Sequence, residues 1–264
     1  MESSQACIIG EHMFCISFET ESVKRLFRHT FPTVLPGSGC EPAFRLLLKE
    51  GYGRPFTDYR IDKFAVDGGF RYLRTDYALE VRANYQSAVI HVHDSLALKH
   101  AFMHLYSLLI VHERWGLLLH SSCVAENGKA YLFTGHSGAG KSTAAALSLP
   151  RSVIADEAAI VRIRPSGVSV FHSPFRSELQ SMDGKGTGSW PLGGVHLLHQ
   201  AQRNRLQLLS KSEGLLRLPD KVFFWNPSVD ESRAIIHLLK QAVELVPLYE
   251  LHFRKDPEFW ELIS

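Results

Sequence analysis

The chain predicts an α/β fold of the α+β kind, with a P-loop core on a mixed sheet after a smaller β-rich N-terminal region. Three observations predict it. A complete GxxxxGK[ST] loop, Gly135 to Ser142, stands between a strand-like run and a run of helix formers. An Asn127-Gly128 dipeptide separates two apolar runs just ahead of it, a hairpin signal, so the strand entering the loop pairs antiparallel instead of joining a purely parallel sheet. After Asp94 the hydrophobic spacing changes from alternation to a helical period.

Taken in order, Met13 to Phe18 is a strand and Ser22 to Phe31 a capped amphipathic helix. Further strands are expected at Phe44 to Lys49, Lys63 to Val66, Arg71 to Arg74, Tyr77 to Val81 and Ala88 to His93. Gly37-Ser-Gly39 and Gly51-Tyr-Gly53 mark loops, and the alternation reads as an antiparallel region over residues 1–93. Leu96, Leu98, Phe102, Leu105, Leu108, Leu109 and Val111 fit a long buried helix capped by Asp94. That helix opens a second region, 94–264.

Leu117 to Ala125 and Lys129 to Thr134 form the hairpin that feeds the loop, and Ala144 to Leu149 continues the loop as a helix. Ser152 to Ala155 is a short strand ending in Asp156-Glu157. Strands follow at Ala159 to Arg164, Ser169 to His172, Val195 to Gln200 and Leu206 to Leu209, then helices at Lys221 to Trp225 and Val229 to Val243. Leu245 to Phe253 is the last strand, and a short helix follows Pro257.

With 264 residues and 45% hydrophobic content there is ample material for a core. The 29 basic and 27 acidic residues leave a net charge of +2, so no polycationic face marks a nucleic-acid partner. Cys7, Cys15, Cys40 and Cys123 are scattered without a CxxC pair, a pattern of reduced cytosolic thiols. The longest apolar stretch, around Leu105 to Val111, is too short to span a bilayer. A cytoplasmic protein with no membrane partner is expected.

The loop carries the first chemistry. A backbone that wraps a polyphosphate must turn sharply with its N–H groups inward, and Gly135, Gly138 and Gly140 permit that turn. His136, Ser137 and Ala139 complete the cradle, and Lys141, Ser142 and Thr143 close it. Lys141 would reach the β- and γ-phosphates of ATP, and Ser142 would place its hydroxyl on Mg2+. Asp156 and Glu157 end a strand downstream of the loop, where a carboxylate can hold Mg2+ or take the proton of an attacking hydroxyl. An acidic pair at a strand end also serves as a turn cap. His120, inside an apolar run, reads by itself as a core histidine.

His120, the hairpin, the loop and the acidic pair, in this order and spacing, resemble the HPr kinase/phosphorylase superfamily, whose core is similar to nucleotide-dependent phosphoenolpyruvate carboxykinase. Ser173-Pro-Phe175 and Pro191-Leu192 followed by an apolar strand ending in Gln200 look like a branch that includes the lasso-peptide precursor kinases. The resemblance implies a mixed-sheet kinase core and an ATP- and Mg2+-dependent serine kinase. His120, Lys141, Asp156 and Glu157 would be catalytic, with Asp156 as base or metal ligand. It further implies as acceptor the C-terminal Ser of a ribosomal precursor peptide, and a homo-oligomer, since HPr kinases form rings. The pair is Asp-Glu here where bacterial HPr kinases have Asp-Asp, and the glycine- and arginine-rich signature of the bifunctional enzymes is missing. A small-molecule kinase acting on free serine or a sugar, or a nucleotide-binding switch without transfer, are the alternatives.

His196, His199, His237 and His252 do not form a metal set by spacing or element. Met182 to Ser189 is a loop by composition, read either as a connector or as a lid in which Lys185 or nearby Arg176 adds positive charge.

Overall fold

A computed structural model describes residues 4–31, 35–36, 44–177 and 188–263. The chain divides into two compact units, one of Met1–His112 with Phe224–Ser228 and one of Glu113–Phe223 with Val229–Ser264. Each holds a mixed sheet, and strands predominate in both.

In the first unit β1 (Ser4–Ile9) and β2 (His12–Phe18) form an antiparallel hairpin. Alternate residues of β2, from His12 to Phe18, are buried, the signature of a strand with one face on a core. Thr20 then caps α1 (Glu21–Thr30) by accepting from the Val23 N–H at 3.1 Å. β3 (Leu35–Pro36) edges the sheet beside β1. Because α1 carries the chain back to the end where β2 began, β4 (Phe44–Glu50) lies parallel to β2. The expected antiparallel region is therefore a mixed sheet. β5 (Asp62–Val66), β6 (Gly69–Leu73), β7 (Tyr77–Arg82) and β8 (Ser87–Val92) make an antiparallel meander whose last strand pairs parallel with β4.

Asp94 caps α2 (Ser95–His112), its Oδ1 accepting from the Ala97 N–H at 2.9 Å. This helix is buried around nearly its whole circumference, against α1, β7 and β8. The division assigns it to the strands before it, so the expected start of a second region at 94 falls ahead of a helix that belongs to the first unit. A polar cluster lies inside. Arg74 holds Asp76 with two hydrogen bonds, at 2.6 and 2.8 Å, and also donates to His100 Nδ1 at 2.9 Å. Burial first, and then Arg74, push His100 down to about 4 and His104 to about 3.

In the second unit β9 (Gly116–Glu126) and β10 (Lys129–Thr134) form the hairpin, with Asn127 and Gly128 both at positive φ, 50° and 75°. The loop leads into α3 (Lys141–Leu147). β11 (Ser152–Ala155) and β12 (Ala158–Arg164) pair antiparallel with β9, and β13 (Gly167–Phe171) with β12. β14 (Ser189–Gln200) pairs first with β13 and then, parallel, with β10, so the pairings β10, β9, β12, β13, β14 close on themselves. β15 (Arg205–Leu208), α4 (Lys211–Arg217), α5 (Val229–Leu245) and β16 (Leu248–Phe253) follow, β16 parallel to β14.

The expected helix at Lys221 to Trp225 is not there. A single 3-10 turn, Pro219–Lys221, is followed by extended chain: Val222 bridges to Leu119, and the Phe223 N–H donates to the Leu118 carbonyl at 2.8 Å. The β-branched and aromatic run prefers that extended edge. The anticipated loop Met182 to Ser189 and Lys185 lie largely outside the described residues. Among the described residues Cys7, Cys15 and Cys123 are free thiols, and no helix is long and apolar enough to cross a membrane.

Candidate functional site

The glycine loop sits on the core of the second unit. Phe133, Ala139, Ala144, Ala145, Leu198, Phe253, Phe259 and Trp260 belong to one buried cluster beneath it. Gly140 has φ +107°, and a Cβ there would lie 2.7 Å from Phe253 Cζ. At Gly135, φ +156°, a Cβ would come within 2.8 Å of Ala139 Cβ. Both positions therefore exclude a side chain by contact as well as by conformation. His136, Ser137 and Gly138 form the exposed crest, while Ala139 is buried beneath it. The Gln200 side-chain amide braces that crest by donating to the Gly138 carbonyl at 2.7 Å.

Lys141 Nζ bends back over the loop and donates to the carbonyls of Gly135 and His136, each at 3.2 Å. Ser142 is exposed and Thr143 half-buried at the start of α3. Burial is the larger cause and Lys221 the second of a lowered Lys141 pKa, so a second ammonium group stands near the first. Lys221 also belongs to the wall of a cavity of about 310 Å3, with Gly135, His136, Leu197, Leu198 and Leu216.

β9 presents the neighbouring wall. Ser122 Oγ donates to the Lys141 carbonyl at 2.9 Å, and Thr134 Oγ1 to the His120 carbonyl at 2.8 Å. His120 and Ser122 are two residues apart on one strand and so share a face. The His120 ring lies 5.1 Å from the Phe223 ring. Burial, then the charges of Lys141 and Lys221, push its pKa down to about 4, which leaves the imidazole neutral at physiological pH.

Asp156 and Glu157 occupy the bend between β11 and β12. The flanking pairs are Ala155↔Cys123 and Ala158↔His120, so the bend runs beside Ser121 and Ser122 of β9. One strand spacing, about 5 Å, therefore separates the Asp156 backbone from the strand that touches Lys141. Asp156 is 4% exposed, and its carboxylate accepts from Ser177 Oγ at 2.7 Å and from the Ser177 N–H at 3.3 Å. Glu157 is half-buried, and its carbonyl accepts from the Ser121 N–H at 3.1 Å. Arg176 donates to the carbonyls of Val153 and Ser173, both at 3.3 Å, and to His172 Nε2 at 2.8 Å. Burial lowers the Arg176 pKa and Asp156 opposes that, so the guanidinium also feels this carboxylate.

The structure thus gathers the loop, His120 and Asp156 on adjacent strands of one sheet. Sequence reasoning missed Lys221 and Ser177. Each arrives through a non-local contact, a bridge to β9 for the turn that carries Lys221 and a side-chain bond for Ser177, and neither leaves a spacing signal. Ser142 and Asp156 are hard oxygen donors that suit Mg2+. Among the described residues no group of three or more His, Cys, Asp or Glu side chains is placed to hold a metal ion.

The model of one family, described as SynChlorMet cassette protein ScmC, matches residues 88–264, about two thirds of the chain. The chain belongs to the ScmC family. That match takes in β8 from its second residue, α2 and every element of the second unit, including the whole candidate site. It corrects the resemblance to the HPr kinase/phosphorylase superfamily and its lasso-peptide kinases. The pattern of His120, Gly135 to Ser142 and Asp156 lies within the ScmC match, and a glycine-loop spacing with an acid downstream does not single out a family. No curated protein matches the chain.

Proposed function

We propose that this ScmC-family chain is an ATP- and Mg2+-dependent kinase that transfers the γ-phosphoryl group to a seryl hydroxyl, in a peptide or protein. The observation that supports the reading is the placement of the Asp156 bend beside the strand whose Ser122 touches the Lys141 carbonyl, a carboxylate next to a glycine loop. The P-loop core would bind the triphosphate through the 135–140 backbone, with Lys141 and Lys221 balancing its charge. The cavity beside Gly135 is large enough to take part of the nucleoside. Mg2+, held by Ser142, would supply charge neutralisation on the phosphates and leave Asp156 to act as the base.

The chain's own residues do the rest. Asp156 accepts the hydroxyl proton, and a neutral His120 hydrogen-bonds and orients the acceptor or the carboxylate without adding a charge of its own. Glu157, next in the bend, would assist. A seryl hydroxyl is supported as acceptor because Asp156 already holds one, that of Ser177. A C-terminal Ser of a lasso precursor rested on the corrected resemblance and falls with it. The family's description as a cassette protein makes the products of neighbouring genes the first acceptors to try.

The test is labelled ATP with Mg2+ and three samples: Ser-containing peptides, free serine, and no added acceptor. Label in seryl side chains of polypeptide is expected. Label in free serine points to a small-molecule kinase, and ATP hydrolysis without labelled product to a switch; either outcome overturns the reading.

A further inference from the structure

The contact between Ser177 and Asp156 is the end of a built strap. The Ser173 N–H donates to the Ile154 carbonyl at 3.0 Å, and Ser173 Oγ accepts from the Phe175 N–H at 3.2 Å. Phe175 is fully buried, and Arg176 fixes the next step by donating to the Val153 and Ile154 carbonyls at 3.3 and 3.5 Å. The strap therefore runs beside β11 and delivers the Ser177 hydroxyl to Asp156 Oδ2 at 2.7 Å, inside the range in which a general base takes a proton. The carboxylate that the proposed reaction needs is 4% exposed and already holds an alcohol from its own chain.

We propose that Ser177 is a phosphorylation site that this chain fills itself, with Ser177 Oγ as acceptor, Asp156 as base and ATP as donor, within one molecule. This rests on the kinase reading above. In the step, the Oγ proton passes to Asp156 Oδ2 and Oγ forms a bond to the γ-phosphorus. The bond from that phosphorus to the β–γ bridging oxygen breaks, its electron pair leaving with ADP. Asp156 then returns the proton to solvent, and the products are phosphoserine, ADP and one proton. The phosphoserine carries about −1.5 to −2 charge at neutral pH, which repels Asp156 and favours the Arg176 guanidinium beside it.

The experiment incubates the full chain with ATP and Mg2+, with and without a set of single-Ser peptides, and maps phosphate by peptide mass spectrometry. Expected is close to one phosphate per chain at Ser177, at a first-order rate unchanged over a tenfold range of protein concentration. Asp156→Asn should slow it at least 100-fold, and Ser177→Ala should leave no phosphorylated residue in the chain itself. A readout without nucleotide accompanies it: the urea midpoints of Asp156→Asn, Ser177→Ala and the double variant should be non-additive, as for two groups in one contact. Phosphorylated peptides with an unmodified Ser177 would overturn the inference and leave the kinase reading standing. No phosphate on any polypeptide would overturn both. A rate that rises with protein concentration, or additive midpoints, would refute the intramolecular contact.

Discussion

Gly140→Ala tests the seating of the glycine loop most directly, because Gly138→Ala supplies an internal control. Both glycines have positive φ, +107° and +79°, so alanine at either incurs backbone strain of roughly 1–2 kcal/mol. At Gly138 a Cβ meets nothing within 4 Å, and the strain is the whole cost. At Gly140 the Cβ falls 2.7 Å from Phe253 Cζ, and Phe253 is fully buried against Phe259. Relieving that overlap adds about 1–3 kcal/mol. Urea unfolding should therefore place Gly140→Ala about 1–3 kcal/mol below Gly138→Ala. ATP affinity by calorimetry should fall further in Gly140→Ala than in the Gly138→Ala control. Equal midpoints for the two variants would show that Phe253 does not support the loop.

Lys141→Ala should abolish transfer while the urea midpoint stays near that of the parent; near-normal turnover would remove the loop from the mechanism. Asp156→Asn should cost orders of magnitude in turnover with ATP binding retained and Glu157→Gln much less, whereas equal small losses in steady-state kinetics would favour a simple turn cap. Lys221→Gln should weaken ATP binding about tenfold by calorimetry, with Lys221→Arg close to the parent; unchanged affinity in the Gln variant would exclude Lys221 from the phosphate site. His196, buried, is held down at about 4, below its unfolded value near 6.5, so the unfolded chain binds the proton more readily. Its contribution to stability is complete above pH 6.5 and lost as pH falls toward 4, about 2 kcal/mol by pH 5, and half-buried His120 and His172 act in the same direction. Denaturant curves at pH 7 and 5 that coincide would refute this.

The loop was legible because its chemistry is contiguous: Gly135 to Ser142 needs no tertiary contact to be recognised, and the β9–β10 hairpin announced itself through Asn127-Gly128. Other local signals were present and missed. Ser210 and Glu213 form a capping box that starts α4, and the S-x-x-E spacing stands in the sequence. A helix between two strands, as with α1 between β2 and β4, implies a parallel return, which alternation by itself cannot show. What local spacing could not supply was partnership. The run from Val222 becomes extended through its bridge to Leu119, and that bridge brings Lys221 to the loop. Nor could three motif elements in order separate the ScmC family from the HPr kinases.

The seat of the loop has a consequence for the order in which the protein comes into being. Gly140 rests on Phe253, and Trp260 Nε1 donates to Ser148 Oγ at 2.9 Å across 112 residues of chain. While the ribosome is still extending α5, the glycine loop has been made and the aromatic floor beneath it has not. A nascent chain can therefore display the whole nucleotide motif and still lack the support that shapes it. The seated loop would arrive late, with the emergence of Phe253, Phe259 and Trp260 from the exit tunnel, and a message truncated before them would yield a chain with an intact motif and an unsupported loop.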